Sequence, residues 1–333
     1  MGAGPGSDTR PGHAHTAHCD ERKETPTARV LTPERQKLRL DALRLRQEMG
    51  WSIRQIAGHL RLEKSTIHRW LSRELEAKVS HNTAPLFPNN IYRMDCLDGL
   101  RRLPHDSVDL VFADPPYNIG VDYGNGGPSL DRHEAYWHWC AEWFQAVHRV
   151  LKPGGSFYAM HYPECCAEWL PRLLALRFGL QRWITWCYPT NVGQSSYNWT
   201  RSQRTILFLT KGEKPRCFNG LADAQPYRNL TDKRIKENLK TRPGIVPYDH
   251  WEYNLVKNVS QEKQAGPPNQ LPEALLRRII LTSSNEGDLV VDPFSGSGTT
   301  AFVASQLNRQ YIAFEQNLDY VKVAQDRVAN GKL

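Results

Sequence analysis

Beyond residue 88 the chain alternates short apolar runs with longer amphipathic stretches. The runs "IYRMD", "VDLVFA", "GSFYAMHY", "WITWCY", "TILFLT", "DLVVDPF" and "YIAFEQ" predict strands. The stretches "HEAYWHWCAEWFQAVHRVL", "PECCAEWLPRLLAL", "PEALLRRIILTSS", "TTAFVASQL" and "LDYVKVAQDRVAN" repeat apolar residues at helical spacing and predict helices. Strands that are apolar on both faces and separated by helices predict an α/β domain with a mostly parallel, doubly covered sheet. From about 191 to 268 the pattern gives way to polar sequence with scattered Trp and Tyr. That stretch reads as a loop-rich recognition insert.

The pattern before residue 88 is different. Residues 31–78 read as helical, opening on Thr32 with Pro33 as cap and first helical residue. Leu38, Leu40, Leu43, Leu45 and Met49 form an approximate apolar face, and Gly50 ends that helix. "SIRQIAGHLRLEKSTIHRWL" then has the pattern of a helix-turn-helix. Ile56, Leu60, Leu62, Ile67 and Trp70 sit where two crossed helices bury their contact, with Ala57 small enough for close approach. Arg61 occupies the turn position where Gly is preferred. The second helix, about 64–71, presents Lys64, Ser65, Thr66, His68 and Arg69 outward, which suits a DNA major groove. A small three-helix interaction or dimerisation module would share the same pattern. "VSHNTAPLFPNN" breaks the periodicity and supplies a linker, 79–87, before the domain at 88–333. Residues 1–30, rich in Gly, Pro, Thr and His without an apolar centre, read as a disordered leader and not a signal peptide.

Composition narrows the functional class only slightly. No apolar run reaches the roughly 18 residues of a membrane span, so a cytoplasmic protein is expected. The seven cysteines are irregularly spaced and include no Cys-x-x-Cys pair, so neither a disulfide framework nor a zinc site is expected. His13, His15, His18 and Cys19 lie in the leader, where a solvated tract is the simpler reading than a metal site. A net charge of +8 permits a polyanionic partner without requiring one.

Two short stretches carry the chemistry. "LVVDPFSGSGTTAFVASQL" is strand, Gly-rich turn and helix. Gly296 and Gly298 permit a tight turn and close approach to a ligand, Thr299 and Thr300 open the helix, and the following strand ends on Glu315. An acid about 20 positions after the glycines suits a ribose. An ATP loop would need a lysine after the glycines, which is missing. A nicotinamide dinucleotide fits the loose Gly-x-Gly-x-x-Ala spacing, but only 18 residues follow Glu315, too few for the rest of such a sheet. S-adenosylmethionine fits best, with Asp292 placed for its amino-acid end.

The other stretch is "VFADPPYNIG". An exocyclic amine of a nucleobase is a poor nucleophile, because its lone pair is delocalised into the ring. A carboxylate and a carbonyl accepting its two N–H bonds favour attack by stabilising the charge that develops. Asp114 and the Pro115 carbonyl can supply these, Pro115 and Pro116 stiffen the turn, and Tyr117 offers a ring face for an extruded base. In an open parallel sheet both stretches follow strands and can face one cleft.

With these residues the chain resembles the DNA amino-methyltransferases, specifically the permuted beta-class group in which Asp-Pro-Pro-Tyr precedes the cofactor turn. The resemblance runs from about 88 to the end and implies a Rossmann-like S-adenosylmethionine-dependent methyltransferase fold preceded by a small all-α helix-turn-helix domain. It implies cofactor contacts from Asp95, toward the adenine, from Cys96, Asp114 and Gln270, and from Asp292, Phe294, Ser295, Gly296, Ser297, Gly298, Thr299, Thr300 and Glu315. It further implies duplex DNA as partner, target recognition near 191–268, and the homodimers common in that family. "RVLKPGGSFYAM" is similar to the family's helix-turn-strand, with Lys152–Gly155 as a structural turn. Where the family usually reads Gln-Lys-Pro, this chain has "NQLP", with Leu271 at the lysine position. Asp as first motif residue goes mostly with adenine N6 and Ser with cytosine N4. No Pro-Cys pair occurs, which disfavours cytosine carbon-5 chemistry. Adenine-N6 methylation of DNA is therefore the expected function. Cytosine-N4 methylation and a DNA-binding regulator with an inactive methyltransferase domain are the alternatives.

Overall fold

A computed structural model describes residues 33–47, 51–68, 70–71, 85–117, 133–188 and 196–331. The expected leader, most of the linker, Gly50 and Arg69 lie outside these residues. The chain divides between Ala77 and Lys78 into two compact units.

In the first unit α1 spans Pro33–Gln47 and α2 spans Ile53–Leu60; residues 64–68 and 70–71 are also helical. Ser52 caps α2 in a capping box: its Oγ accepts the Gln55 N–H at 3.3 Å while Gln55 Oε1 accepts the Ser52 N–H at 2.9 Å. Arg61 ends α2 in the left-handed region at φ 52°, so the turn adopts the geometry that favours glycine. Ile56, Ala57, Ile67 and Trp70 form the buried centre with Ala42, as the helix-turn-helix pattern requires. The apolar face of α1 differs from the expected one. Leu38, Ala42 and Leu45, at i, i+4 and i+7, face the core, whereas Leu40 is 66% exposed because it lies on the far side of the helix. Lys64, Ser65 and His68 are exposed and Thr66 half-buried, on the side away from Ile67 and Trp70.

The second unit is one eight-stranded sheet: β1 (Asn90–Arg93), β2 (Val108–Ala113), β3 (Leu151–His161), β4 (Phe178–Cys187), β5 (Gln203–Lys211), β6 (His250–Glu252), β7 (Leu289–Asp292) and β8 (Gln310–Glu315), in the order β1-β8-β7-β2-β3-β5-β4-β6. All pairs are parallel except β3 with β5 and β5 with β4. Alternation sorts side chains between two cores. Leu110, Phe112, Tyr158, Met160, Ile206 and Phe208 face one. Val111, Ala113, Phe157, Ala159, Leu207 and Leu209 face the other. The first is covered by α7 (Glu273–Ser283), α8 (Thr299–Gln306) and α9 (Leu318–Asn330); the second by α3 (Cys96–Arg102), α4 (His133–Val150) and α5 (Pro163–Ala175). The remaining short helix, α6, spans Lys233–Asn238.

Two expectations need adjusting. Residues 152–155, read as a turn, are a bulge inside β3, where the register on β2 slips between Val108 and Leu110. Lys152 there pairs at 2.7 Å with the buried Asp109, which Arg216 also holds at 2.7 Å. The range 191–268 is not uniformly an insert, because it contains β5, a buried core strand between β3 and β4. The loop-rich part within it begins after Lys211 and ends beyond β6, the strand at the sheet edge.

Candidate active site

The register Val111↔Val291 makes β2 and β7 parallel neighbours, so both leave the sheet at the same edge. Asp114–Tyr117 follows β2 and the Gly-rich turn follows β7, and the two stretches line one cleft of about 320 Å³. Cys96 from α3, Gln270, Leu271 and Glu315 complete its predicted side. Of the residues expected at the site, Asp114, Pro115, Pro116, Tyr117, Asp292, Phe294, Ser295, Gly296, Ser297, Thr299 and Thr300 also line it. Asp95 and Gly298 do not. Asp95 caps α3, its Oδ1 accepting the Leu97 N–H at 2.8 Å, and its Oδ2 accepts from Gln316 Nε2 at 2.6 Å. Gly298, at φ +74°, packs so closely on α9 that a Cβ would stand 2.6 Å from that of Ala324.

The turn is held from its neighbour strand. Glu315 Oε2 accepts the Gly296 N–H at 2.9 Å, and the Phe314 carbonyl accepts the Ser295 N–H at 2.9 Å. Asp292 Oδ1 accepts the Phe294 N–H at 2.9 Å, and burial pushes this carboxyl up to about 7. Burial likewise raises Glu315. Gln270 is buried with both ends of its amide engaged: Oε1 accepts from the Gln264 N–H at 2.7 Å and Nε2 donates to the Glu262 carbonyl at 2.6 Å. Leu271, in place of a lysine, is 8% exposed and belongs to the core beside the cleft. Burial raises the Cys96 thiol far above its ordinary value, so it lines the cleft as an apolar group.

The Asp-Pro-Pro-Tyr loop is fixed from beneath by residues that the sequence reading did not single out. His161, at the end of β3, stacks on Tyr117 with centroids 4.1 Å apart, which occupies one face of that ring. His161 Nδ1 accepts the Tyr162 N–H at 2.8 Å and so carries no proton. The neutral ring then donates from Nε2 to the Tyr136 oxygen at 3.2 Å, and the Tyr136 hydroxyl donates to the Pro116 carbonyl at 3.1 Å. Burial, with the Arg204 charge nearby, lowers His161 to about 3, which keeps the order of this chain fixed. Because Pro116's carbonyl is engaged, Pro115's is the acceptor left for a ligand. Burial raises Asp114 to about 6, against the opposing pull of the Arg204 guanidinium and the nearby Tyr117 hydroxyl.

Arg204 arrives by topology. Antiparallel to β3, β5 presents its start where the parallel strands present their ends, so Arg204 stands next to the His161↔Thr205 pair. Its only sequence signal was a charge at the head of an apolar run inside the presumed insert.

The cleft suits S-adenosylmethionine on its own evidence. Ser295 Oγ and Asp114 Oδ1 are buried without a hydrogen-bond partner among the described residues. Gly296, at φ +51°, faces open space that any side chain would enter. Unpaired polar atoms and acids around an open floor match a ligand with ribose hydroxyls and an ammonium group. No cluster of three metal-ligating side chains occurs among the described residues.

An open α/β sheet with a Gly-rich turn and an acidic strand end, facing an Asp-Pro-Pro-Tyr loop, defines a Rossmann-like transferase. The chain belongs to the N6/N4 family of DNA methylases, whose family model matches residues 108–326; a homeodomain-like model matches residues 33–76. It is 35% identical over 240 residues to Type II methyltransferase M.HpaI of Haemophilus parainfluenzae, covering 70% of this chain and 72% of that one. It is also 35% identical over 241 residues to DNA adenine methyltransferase YhdJ of Escherichia coli strain K12, covering 70% and 80%. Among solved structures it is similar to PvuII DNA methyltransferase (cytosine-N4-specific), with a TM-score of 0.57 and 22% identity over 75% of this chain and 89% of that one. A second, the M1.HpyAVI–SAM complex, has a TM-score of 0.51 at 21% identity over 72% and 98%. At such identities these two establish the fold alone.

Proposed function

We propose that the protein methylates the N6 amine of adenine in duplex DNA at a specific site, with S-adenosylmethionine as donor. The observation that carries this reading is the single cleft shared by Asp114 and the Asp292–Gly296 turn. The adenine-specific name of a relative at 35% identity favours N6 over cytosine N4, as does Asp at the first motif position. S-adenosylmethionine brings an electrophilic sulfonium methyl group, and the residues of the Gly-rich turn with Asp292 and Glu315 would hold it. Asp114 and the Pro115 carbonyl accept the two N–H bonds of the extruded base's amine and stabilise its charge as it attacks. Phe294, Trp139 and the proline pair make this edge of the cleft apolar.

Mass spectrometry of nucleosides from a methylation-deficient bacterial host expressing the protein tests the reading. N6-methyladenine is the expected mark. N4-methylcytosine would keep the chemistry and change the base, and the absence of both with folded protein present would refute the enzyme.

Tyr136→Phe keeps the ring and removes the bond to the Pro116 carbonyl. It is expected to lower kcat by about fivefold, the scale of one hydrogen bond of ~1 kcal/mol, with the KM for cofactor unchanged. A parallel rise in that KM would show that Tyr136 supports the cofactor instead.

The helix-turn-helix unit is proposed to add DNA affinity through Lys64, Ser65, Thr66, His68 and Arg69. The full-length Lys64→Ala/His68→Ala variant is expected to bind DNA several-fold more weakly at low salt, with a shallower salt dependence, since phosphate contacts release counterions. Unchanged affinity and slope would favour the interaction-module reading. Homodimer formation remains part of the proposal on family grounds, and sedimentation measures it directly. A cytoplasmic location fits the absence, among the described residues, of any helix long and apolar enough to cross a membrane.

A further inference from the structure

Arg204 is among the most constrained side chains at the cleft. It is 8% exposed, with its guanidinium carbon 5.0 Å from the Tyr117 ring centroid and 5.5 Å from that of Trp186. Its charge acts on Asp114 and on the Tyr188 hydroxyl, which itself donates to the Gln203 carbonyl at 3.1 Å. Its Nε–H, however, is buried with no hydrogen-bond partner among the described residues. An unpaired buried donor is unfavourable, more so on a charged group. A bound molecule with a well-placed acceptor relieves that penalty.

We propose that Arg204 donates to the ring nitrogen beside the exocyclic amine of the target base, so that Arg204 and Asp114 together read an amidine edge. The inference rests on the proposed reading of the enzyme as a DNA amino-methyltransferase. Adenine presents N1 next to its amine, and cytosine presents N3 next to its own. Each offers one acceptor beside one donor, which complements a guanidinium beside a carboxylate. The deaminated bases hypoxanthine and uracil reverse both groups, with a ring N–H toward Arg204 and a carbonyl toward Asp114. Reversed polarity at a buried pair of charges is a strong ground for exclusion, because neither partner can turn to water. The same guanidinium stabilises Asp114 as the carboxylate, a second role that does not depend on the identity of the base.

The two roles separate in one experiment. Genomic methylation by the wild-type protein supplies the target site, and a duplex is then made with 1-deazaadenine at the target position. This base keeps the amine and lacks the ring acceptor. The wild-type enzyme is expected to lose ~10–100-fold in kcat/KM on it, the range for a lost charge-assisted contact. A 7-deazaadenine control, which keeps N1, should react at close to the normal rate. At a pH high enough to keep Asp114 ionised in both proteins, which silences the second role, Arg204→Met should lose a similar factor on ordinary adenine and little more on 1-deazaadenine, because the partner is already gone. If cytosine is the marked base, 3-deazacytosine replaces 1-deazaadenine. An unchanged wild-type rate on the deaza duplex overturns the inference, as do losses that multiply. A higher Kd for S-adenosylmethionine in Arg204→Met, without a wild-type deaza effect, assigns the guanidinium to the cofactor's carboxylate and also overturns it. Failure of the wild type to mark any base instead sinks the underlying reading of the enzyme. The wild-type comparison needs no folded variant and decides by itself.

Discussion

Asp114→Ala is expected to reduce methyl transfer ~10²–10³-fold, the range for removing one preorganised group that stabilises developing charge, while the Kd for S-adenosylmethionine changes little. The carboxylate stands at the end of β2, on the side of the cleft proposed to take the base, whereas the turn that would hold the cofactor hangs from β7 and β8 through its own backbone bonds. Only the ionised form of Asp114 brings the negative charge that stabilises the nitrogen as it attacks, beside the bond accepted by the Pro115 carbonyl. Its carboxyl is pushed up to about 6. Activity should therefore be full above that value and fall as the pH drops through about 6, where the carboxyl becomes protonated. Asp114→Asn should abolish this inflection along with most of the rate. Arg204→Met, which removes the charge that holds the carboxyl down, should move the inflection to higher pH. Single-turnover rates against pH, alongside calorimetric titration of cofactor, measure both. A tenfold or greater loss of cofactor affinity in Asp114→Ala would place the residue with the cofactor and not with the base.

The same contrast shows what was legible from residues alone. "VDLVFA" and "LVVD" read as strands because each is a short, mostly apolar run, and their following residues are too peculiar to be ordinary turns. Adjacency in the sheet could not be read from spacing, yet adjacency is what brings Asp114 to Asp292. The principle that open parallel sheets bind ligands at their carboxyl ends stood in for it. That principle has a blind spot, which is where Arg204 lies. It concerns strand ends, and β5 runs the other way, so its beginning faces the cleft. His161 and Tyr136 were missed for another reason. Each lies on the buried side of its strand or helix, where a satisfied core position is the ordinary interpretation. Their hydrogen bonds to each other and to the Pro116 carbonyl exist only in three dimensions. Asp95 illustrates the reverse. A family role pointed to the cofactor, while Asp followed by a helical run is also the plain signature of an N-cap, and capping is the contact the fold displays.

Arg327→Ala is expected to lower stability by about 3 kcal/mol, the low end of the cost of leaving a buried ionic partner uncompensated, because the Glu273 side chain keeps 20% exposure. Nothing in the pattern of α9 distinguishes this arginine from the exposed charges around it, since one charged residue on a helix is normally solvated. In the fold its side chain is only 2% exposed and pairs with Glu273 at 2.6 Å. Its Nη1 donates to Thr299 Oγ1 at 2.8 Å, and its guanidinium carbon lies 5.1 Å from the Phe302 ring centroid. One planar cation thus ties the last helix to the first turn of α7 and to the start of α8, directly behind the Gly-rich turn. A lysine cannot replace it, because a point charge does not span two directions at once. Arg327→Lys should therefore recover only part of the loss. The midpoint of thermal unfolding should fall by about 10 °C in Arg327→Ala at the usual few degrees per kcal/mol. The Kd for S-adenosylmethionine should also rise, since Thr299 and the turn lose their backing. Saturating cofactor should restore part of the midpoint by mass action, which a purely remote destabilisation would also allow. The discriminating variant is Glu273→Gln/Arg327→Met, in which both charges are removed and the volume is kept. If burial of the unpaired Glu273 carboxylate is the main cost, this pair should be markedly more stable than Arg327→Ala alone. If the contact with Thr299 dominates, the double variant will be as unstable as the single one and its cofactor affinity equally weak.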